Sequence, residues 1–397
     1  MSKLHKVAVA TYHYSFNEGA ILQAYAVTQL VETHLGKKAD LIDQRYPGKQ
    51  AIYGAPNDNR KEALQASIDH WLPLSSASFR SRDNRAVFDY INNNYDAFIV
   101  GSDVIWNLRY KRHLRRFLPG GGIFPHQPYP FFTPFPNIYW PDKSIKIPKY
   151  AYAASIGTLE YNAIPGRHRR NMKQILSGFS AISVRDERTR RFVEWVDPNL
   201  AKDVVIVPDP TLGIALLELN RLESLKEKLI ALGVDFSRPR CGIICEGDHM
   251  PTRKTAEYLK AKGYQIIGIT AANPFSDINL FAHGFHPMEW ALLFRYMDIC
   301  ITERMHGAIF CLKNLTPFII LDINETKHDN DSKTVSLMRR FGLEAFRVVK
   351  KQANADHMIE LTKELKADQA PWNQVHFVLD RCEKEASNFF QAIGKVM

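Results

Sequence analysis

The sequence predicts two doubly wound α/β domains that face each other across a central cleft. Three observations carry that expectation. The chain has 397 residues, more than one ordinary domain holds, so two domains are the natural division. Short β-rich apolar runs alternate with helical patterns along almost the whole length. The alternation also falls into two series, parted by a charged helical stretch. The expected division is residues 1–215 for the first domain and 216–397 for the second.

In the first series, "KVAVATY" at residues 6–12 reads as a strand. "GAILQAYAVTQLVETHL" at 19–35 reads as an amphipathic helix, with Ile21, Leu22, Tyr25, Leu30 and Leu35 near one side. "ADLIDQ", "DAFIVG", "YAYAAS", "AISV" and "DVVIVPDP" follow as strands, with helical stretches between most of them. A charged helix near residues 216–232 leads into the second series, "RCGIIC", "YQIIGIT", "DICIT" and "PFIIL". Residues 372–393 read as a long terminal helix that packs back across one of the domains. No repeat of solenoid period is present.

Composition narrows the class. Apolar residues make up 45% and charged residues 24%, the balance of a globular chain with a large core. Of the five cysteines, Cys241 and Cys245 share one face of the strand "CGIIC", and Cys300, Cys311 and Cys382 lie elsewhere. A zinc site would need a second ligand pair at loop spacing, and none follows, so no metal is expected and the cysteines read as buried thiols of a reducing compartment. The first residues are too polar for a signal peptide, and no run is long and apolar enough to span a bilayer. A cytoplasmic location is expected. The net charge of +10 points to an anionic partner: a phosphate, a nucleic acid or the inner face of a membrane. The basic residues are dispersed and match no nucleic-acid motif, so nucleic acid is not expected.

Ligands of such folds bind outside the carboxyl ends of the parallel strands. The strand–helix joins are therefore the places to look. Asn17 and Glu18 precede the first helix; they read first as capping residues and second as ligand contacts. Ser102, Asp103 and Trp106 follow "DAFIVG", with Asp103 either a cap or a base. Ser155 ends "YAAS", Arg185 and Asp186 end "AISV", and Asp209 sits in "PDPT". Arg185 alone reads as one half of a structural ion pair, and Asp186 as a helix cap.

The richest join is "ITERMHGAIF" at residues 301–310. If a strand ends there and a helix begins, Met305, His306 and Gly307 lie at a helix N-terminus, which attracts anions. Arg304 adds a bidentate fork for a carboxylate or phosphate. His306 either bonds the same anion or moves a proton. The plainer reading makes Arg304 a surface residue and His306 a bonded core histidine. There is no Walker loop, dinucleotide glycine fingerprint or nucleophile elbow.

One insert stands out, at residues 109–148. "RYKRHLRR" (109–116) is basic with no acid, and residues 117–140 contain no charged residue but many prolines and aromatics. It reads either as a loop packed on the domain surface or as an acceptor loop whose rings meet sugar or lipid headgroups.

Taken together, "NEGAILQAYAV", "DAFIVGSDVIWN", "YAYAASIG", "AISVRDE", "IVPDPTL" and "ITERMHGAIF", in this order and spacing, resemble the polysaccharide pyruvyl transferase family. The resemblance spans residue 17 to the segment "KTVSLMRRFGL" at 333–343. It implies two Rossmann-like domains of the GT-B type. It implies phosphoenolpyruvate as donor, no cofactor, and a glycan sugar, lipid-linked or free, that takes a pyruvate ketal on two hydroxyls with release of phosphate. The first domain is then the acceptor side and the second the donor side. Arg304 matches the family's donor-binding arginine and Arg185 a second. His306 becomes the proton donor or phosphate contact, Asp103 a base and Lys333 a further anion contact. Two other readings stay open: a GT-B glycosyltransferase using a nucleotide sugar, and a non-catalytic glycan- or membrane-binding protein.

Overall fold

A computed structural model describes residues 6–45, 59–80, 83–107, 136–164, 166–216, 219–323, 332–367 and 371–397. The first sheet holds β1 (Lys6–Ala10), β2 (Lys38–Gln44), β3 (Leu74–Phe79), β4 (Ala97–Val100), β5 (Lys149–Ala154), β6 (Ala181–Val184) and β7 (Val205–Ile206), in the order β3-β2-β1-β4-β5-β6-β7. Every pair is parallel. The crossovers carry α1 (Glu18–Leu35), α2 (Asn59–His70), α3 (Arg85–Asn94), α4 (Gly166–Leu176) and α5 (Glu187–Val196). Apolar runs without alternation, such as "AFIV", suit strands covered on both faces, and all four of those residues are buried.

The second sheet repeats the pattern. Its strands are β8 (Arg240–Ile244), β9 (Gln265–Gly268), β10 (Ile278–Asn279), β11 (Ile299–Thr302), β12 (Phe318–Asp322) and β13 (Arg347–Val349), ordered β10-β9-β8-β11-β12-β13 and all parallel. Around it lie α6 (Leu219–Ala231), α7 (Met250–Ala261), α8 (Pro287–Leu293), α9 (Met305–Lys313), α10 (Lys333–Phe341) and α11 (Ala355–Ala367). In both sheets the order reverses beside the first strand of the series. The two switch points therefore lie between β1 and β4 and between β8 and β11.

The terminal helix, α12 (Val375–Gly394), crosses between the two halves. Its first turns bury Val375 and Cys382 in the core of the second sheet, and its last turns bury Phe389, Phe390 and Ile393 in that of the first. Phe390 lies 4.7 Å from the Tyr152 ring, and Arg340 of α10 pairs with Glu385. Each buried phenylalanine contributes about 1.5–3 kcal/mol, so the helix binds the halves together.

Two details of the first sheet differ from the sequence expectation. "DVVIVPDP" keeps only Val205 and Ile206 as strand, because Pro208 and Pro210 have no N–H for the ladder and start a 3₁₀ turn, Pro210–Leu212. The edge strand β3, "LSSASF", was not expected, since its serines hide any apolar period. All five cysteines are free and buried. Of the insert, residues 108–135 lie outside the described residues. Its last residues, Ile138, Tyr139 and Trp140, are core: Trp140 packs 5.3 Å from Trp106.

Candidate functional site

The site grows from the carboxyl ends of both sheets. β6 ends at Val184, so Arg185 leaves the first sheet pointing into the junction, and Asp186 caps α5 by accepting from the Thr189 N–H. β7 ends three residues before Asp209, whose flanking prolines fix the turn. β11 ends at Thr302, and α9 starts at Met305, so His306 sits in the first turn of that helix. Ser332 caps α10, placing Lys333 at its first position.

These four joins converge. Arg185 is 6% exposed and donates from Nη1 to Asp209 Oδ2 at 2.8 Å. Its Nη2 lies 3.7 Å from Asp103 Oδ1. Its Nε and Nη2 make no hydrogen bond among the described residues. A buried donor left unmade costs about 1–3 kcal/mol, more when charged, so this guanidinium is built to receive an anion. Asp209 Oδ1 accepts from Thr211 N–H at 3.1 Å and from Thr211 Oγ1 at 2.6 Å. His306 Nε2 stands 3.7 Å from Asp209 Oδ2, an ion-pair distance longer than a hydrogen bond. Lys333 forms no hydrogen bond or ion pair among the described residues.

Electrostatics fit this crowding. Burial pushes the Asp209 carboxyl up, but His306, Arg185 and Thr211 together outweigh it and hold the group well below the usual carboxylate range. Burial and the Arg185 charge push the Lys333 ammonium below its ordinary value, against the pull of Asp103, Asp209 and Asp186. Arg185, Asp209, Met305, Lys333 and Arg340 line a chamber of about 20 Å³. That is room for about one water.

Gly19 explains how His306 is placed. A Cβ at this position of α1 would stand inside van der Waals distance of the imidazole Cγ and Nδ1. Gly19→Ala should favour the helix by about 0.5–1 kcal/mol. It should nevertheless displace the imidazole, and displacements near 1 Å cost on the order of 10²-fold in rate. The expected result is a sharp drop in kcat with an unchanged or higher Tm, read by steady-state kinetics and a thermal melt.

Other sequence-predicted residues go elsewhere. Asn17 caps α1 through the Ala20 N–H, and Glu18 is held by both Arg60 nitrogens, at 2.7 and 2.9 Å. Trp106 is fully buried, with its indole N–H on the Tyr139 carbonyl, so it belongs to the core and not to an acceptor surface. Ser155 is likewise buried, donating to Asp186 at 2.7 Å. The Ser102 carbonyl accepts from Thr11 while its side chain lies fully buried. Gly307 makes room for the Thr302 hydroxyl, not for a ligand. Asp103 sits at φ 84°, a strained conformation for a residue with a side chain, beside Arg185. Arg304 does not line the chamber: its guanidinium pairs with Glu246, an exposed residue beyond β8. Behind it Glu303 is buried and accepts from Lys350 at 2.5 Å. Asp209 and its helper Thr211 were not among the expected site residues. The "PDPT" turn at a strand end was the one sequence signal for them.

The comparisons agree with this architecture. No curated protein matches the chain. Among solved structures, UDP-GlcNAc 2-epimerase from Neisseria meningitidis bound to UDP-GlcNAc is similar at 9% identity, covering 97% of this chain and 98% of that one, with TM-score 0.57. The enzyme of the same name from Methanocaldococcus jannaschii is similar at 9% identity, over 98% of each chain, with TM-score 0.53. At such identity the likeness shows the fold alone, two Rossmann-like halves of GT-B type. The sequence model of polysaccharide pyruvyl transferases matches residues 17–325, from the cap of α1 to just beyond β12, and so takes in Arg185, Asp209 and the 301–310 join. By that match the chain is a transferase of polysaccharide biosynthesis and belongs to the polysaccharide pyruvyl transferase family.

Proposed function

We propose that this enzyme transfers the enolpyruvyl unit of phosphoenolpyruvate to two hydroxyls of a glycan sugar, forming a pyruvate ketal and releasing phosphate. The observation that carries this reading is the buried Arg185, with two donor positions unmade among the described residues, beside Lys333, unpaired among those residues, and the His306 imidazole. Phosphoenolpyruvate brings a carboxylate and a phosphate; two cations and a proton donor are what its activation requires. In this reading Arg185 and Lys333 hold the two anionic groups. His306 delivers a proton to the methylene carbon, making it a methyl group. The adjoining carbon, now electron-poor, takes the first sugar hydroxyl, whose proton passes to Asp103. The bond to the phosphate oxygen then breaks, and the second hydroxyl closes the ketal. One hydroxyl proton ends on the methyl group and the other on the released phosphate. No cofactor enters. The acceptor approaches from the first domain, and a lipid-linked sugar would bring the protein to the inner membrane face.

Arg304 has a place in the same reading. Its pair with Glu246 is exposed and contributes about 0–1 kcal/mol, so the fork is free to turn toward an arriving donor. Arg304→Ala is expected to raise the KM for phosphoenolpyruvate about tenfold or more, as for a lost charge-assisted contact of about 1.5–3 kcal/mol, without lowering Tm. An unchanged KM would return Arg304 to the surface.

The function itself is tested by incubating the protein with phosphoenolpyruvate and a panel of galactose, mannose and N-acetylhexosamine acceptors. Phosphate release together with a sugar heavier by pyruvate less one water is the expected outcome. Consumption of a nucleotide sugar in its place would favour a glycosyltransferase, and binding without turnover a glycan-binding protein.

A further inference from the structure

The proton donor of this site has two ring nitrogens, and the structure treats them differently. Nε2 of His306 is buried and faces Asp209 Oδ2 at 3.7 Å, on the segment that leaves the first sheet. Nδ1 lies on the other edge of the ring, beside Gly19 at the start of α1, where a Cβ would collide with it. Asp209 is itself immobilised: Thr211 takes Oδ1 twice, and Arg185 takes Oδ2. The carboxylate therefore stands between the donor-binding guanidinium and the imidazole, and it belongs to the first half of the molecule while His306 belongs to the second.

We infer that Asp209 is the positioning residue of this reaction: it holds the Nε2–H of His306, so that Nδ1 is the nitrogen that gives a proton to the donor methylene carbon and later takes one back from the second sugar hydroxyl. This rests on the proposed pyruvyl transfer. The balance closes on the imidazole. The imidazolium loses the Nδ1 proton to the forming methyl group and remains neutral with Nε2–H on Asp209. The second hydroxyl then returns a proton to Nδ1 as its oxygen bonds the former enol carbon. The charged and titratable groups around the dyad are Arg185, Lys333 and Arg340, which line the chamber, with Asp103, Asp186 and the buried Tyr152 hydroxyl beyond them.

Asp209→Asn tests the inference. The amide keeps the shape and the Thr211 contacts but not the charge. The kcat should fall roughly 10²–10⁴-fold, as for a lost acid–base partner, while the KM for phosphoenolpyruvate moves little. In a His306→Gln background the same change should cost almost nothing further, because a residue acting through another is not additive with it. A purely structural Asp209 would lower Tm and leave the split between kcat and KM unmoved, and its effect would add to that of His306→Gln; either result overturns the inference. If Asp209→Asn does not fold, nitrogen-15 spectra of histidine-labelled wild-type protein decide: a neutral His306 protonated at Nε2 supports the assignment, and one protonated at Nδ1 overturns it. This spectrum needs no donor or acceptor. It therefore stands or falls separately from the pyruvyl transfer itself, which fails if no acceptor gains pyruvate.

Discussion

His306→Gln is expected to lower kcat for pyruvyl transfer by roughly 10²–10⁴-fold, the range contributed by a positioned general acid or base. The glutamine amide fills similar space and can donate toward Asp209, so the fold and the Gly19 contact should survive. It has no proton to give near neutral pH. Arg185 and Lys333 keep their places, and the KM for phosphoenolpyruvate should change little. The split between kcat and KM is the readout: an interaction made only in the transition state lowers kcat without touching ground-state binding. A variant with wild-type kcat would take proton transfer away from His306 and leave it a phosphate contact.

The second large effect is expected from Arg185→Ala. Removing one member of a buried ion pair leaves the other uncompensated and costs about 3–5 kcal/mol. Here the residue left behind is Asp209, 3% exposed. Stability should fall by that amount in denaturant titration, and use of phosphoenolpyruvate should be lost with it. The two losses separate in a double variant. Arg185→Ala with Asp209→Asn removes the orphaned charge and should recover much of the stability but none of the donor binding. Recovery of both would mean that Arg185 is only a structural counter-ion.

The same pair sets the acid response. The Asp209 carboxyl is depressed in the folded protein. Its contribution to stability is therefore complete above the ordinary carboxylate range and is lost as the pH falls below that range toward the depressed value. In Arg185→Ala one of the groups that hold the carboxyl down is lost, so it rises from its depressed value and acid unfolding should begin at higher pH than in the wild type.

Much of this architecture is legible in the sequence. The joins at Arg185, at His306 and at Asp209 were visible because each follows an apolar strand, and strands in parallel sheets deliver their ends to one edge. The helix start at Met305 and the capping roles of Asn17 and Asp186 follow from local chemistry of a few residues. The sequence alone thus determined the alternation of strands and helices, the two-domain class, the family resemblance and which short segments border the cleft.

Only the tertiary structure decided which of those residues meet. Trp106 follows a strand as Asp103 does, yet the insert's tail closes over it and puts it in the core. Glu18 and Arg60 find each other across 42 positions, and Arg304 turns to Glu246 across 58. Asp209 joins Arg185 and His306, from 24 positions before it and from far beyond it in the second half. The physical reason is that periodicity and turn residues report what a side chain must do locally, face the core or end a helix. An ion pair is set by distance in space, and that distance is fixed by how two sheets and a crossing helix pack together.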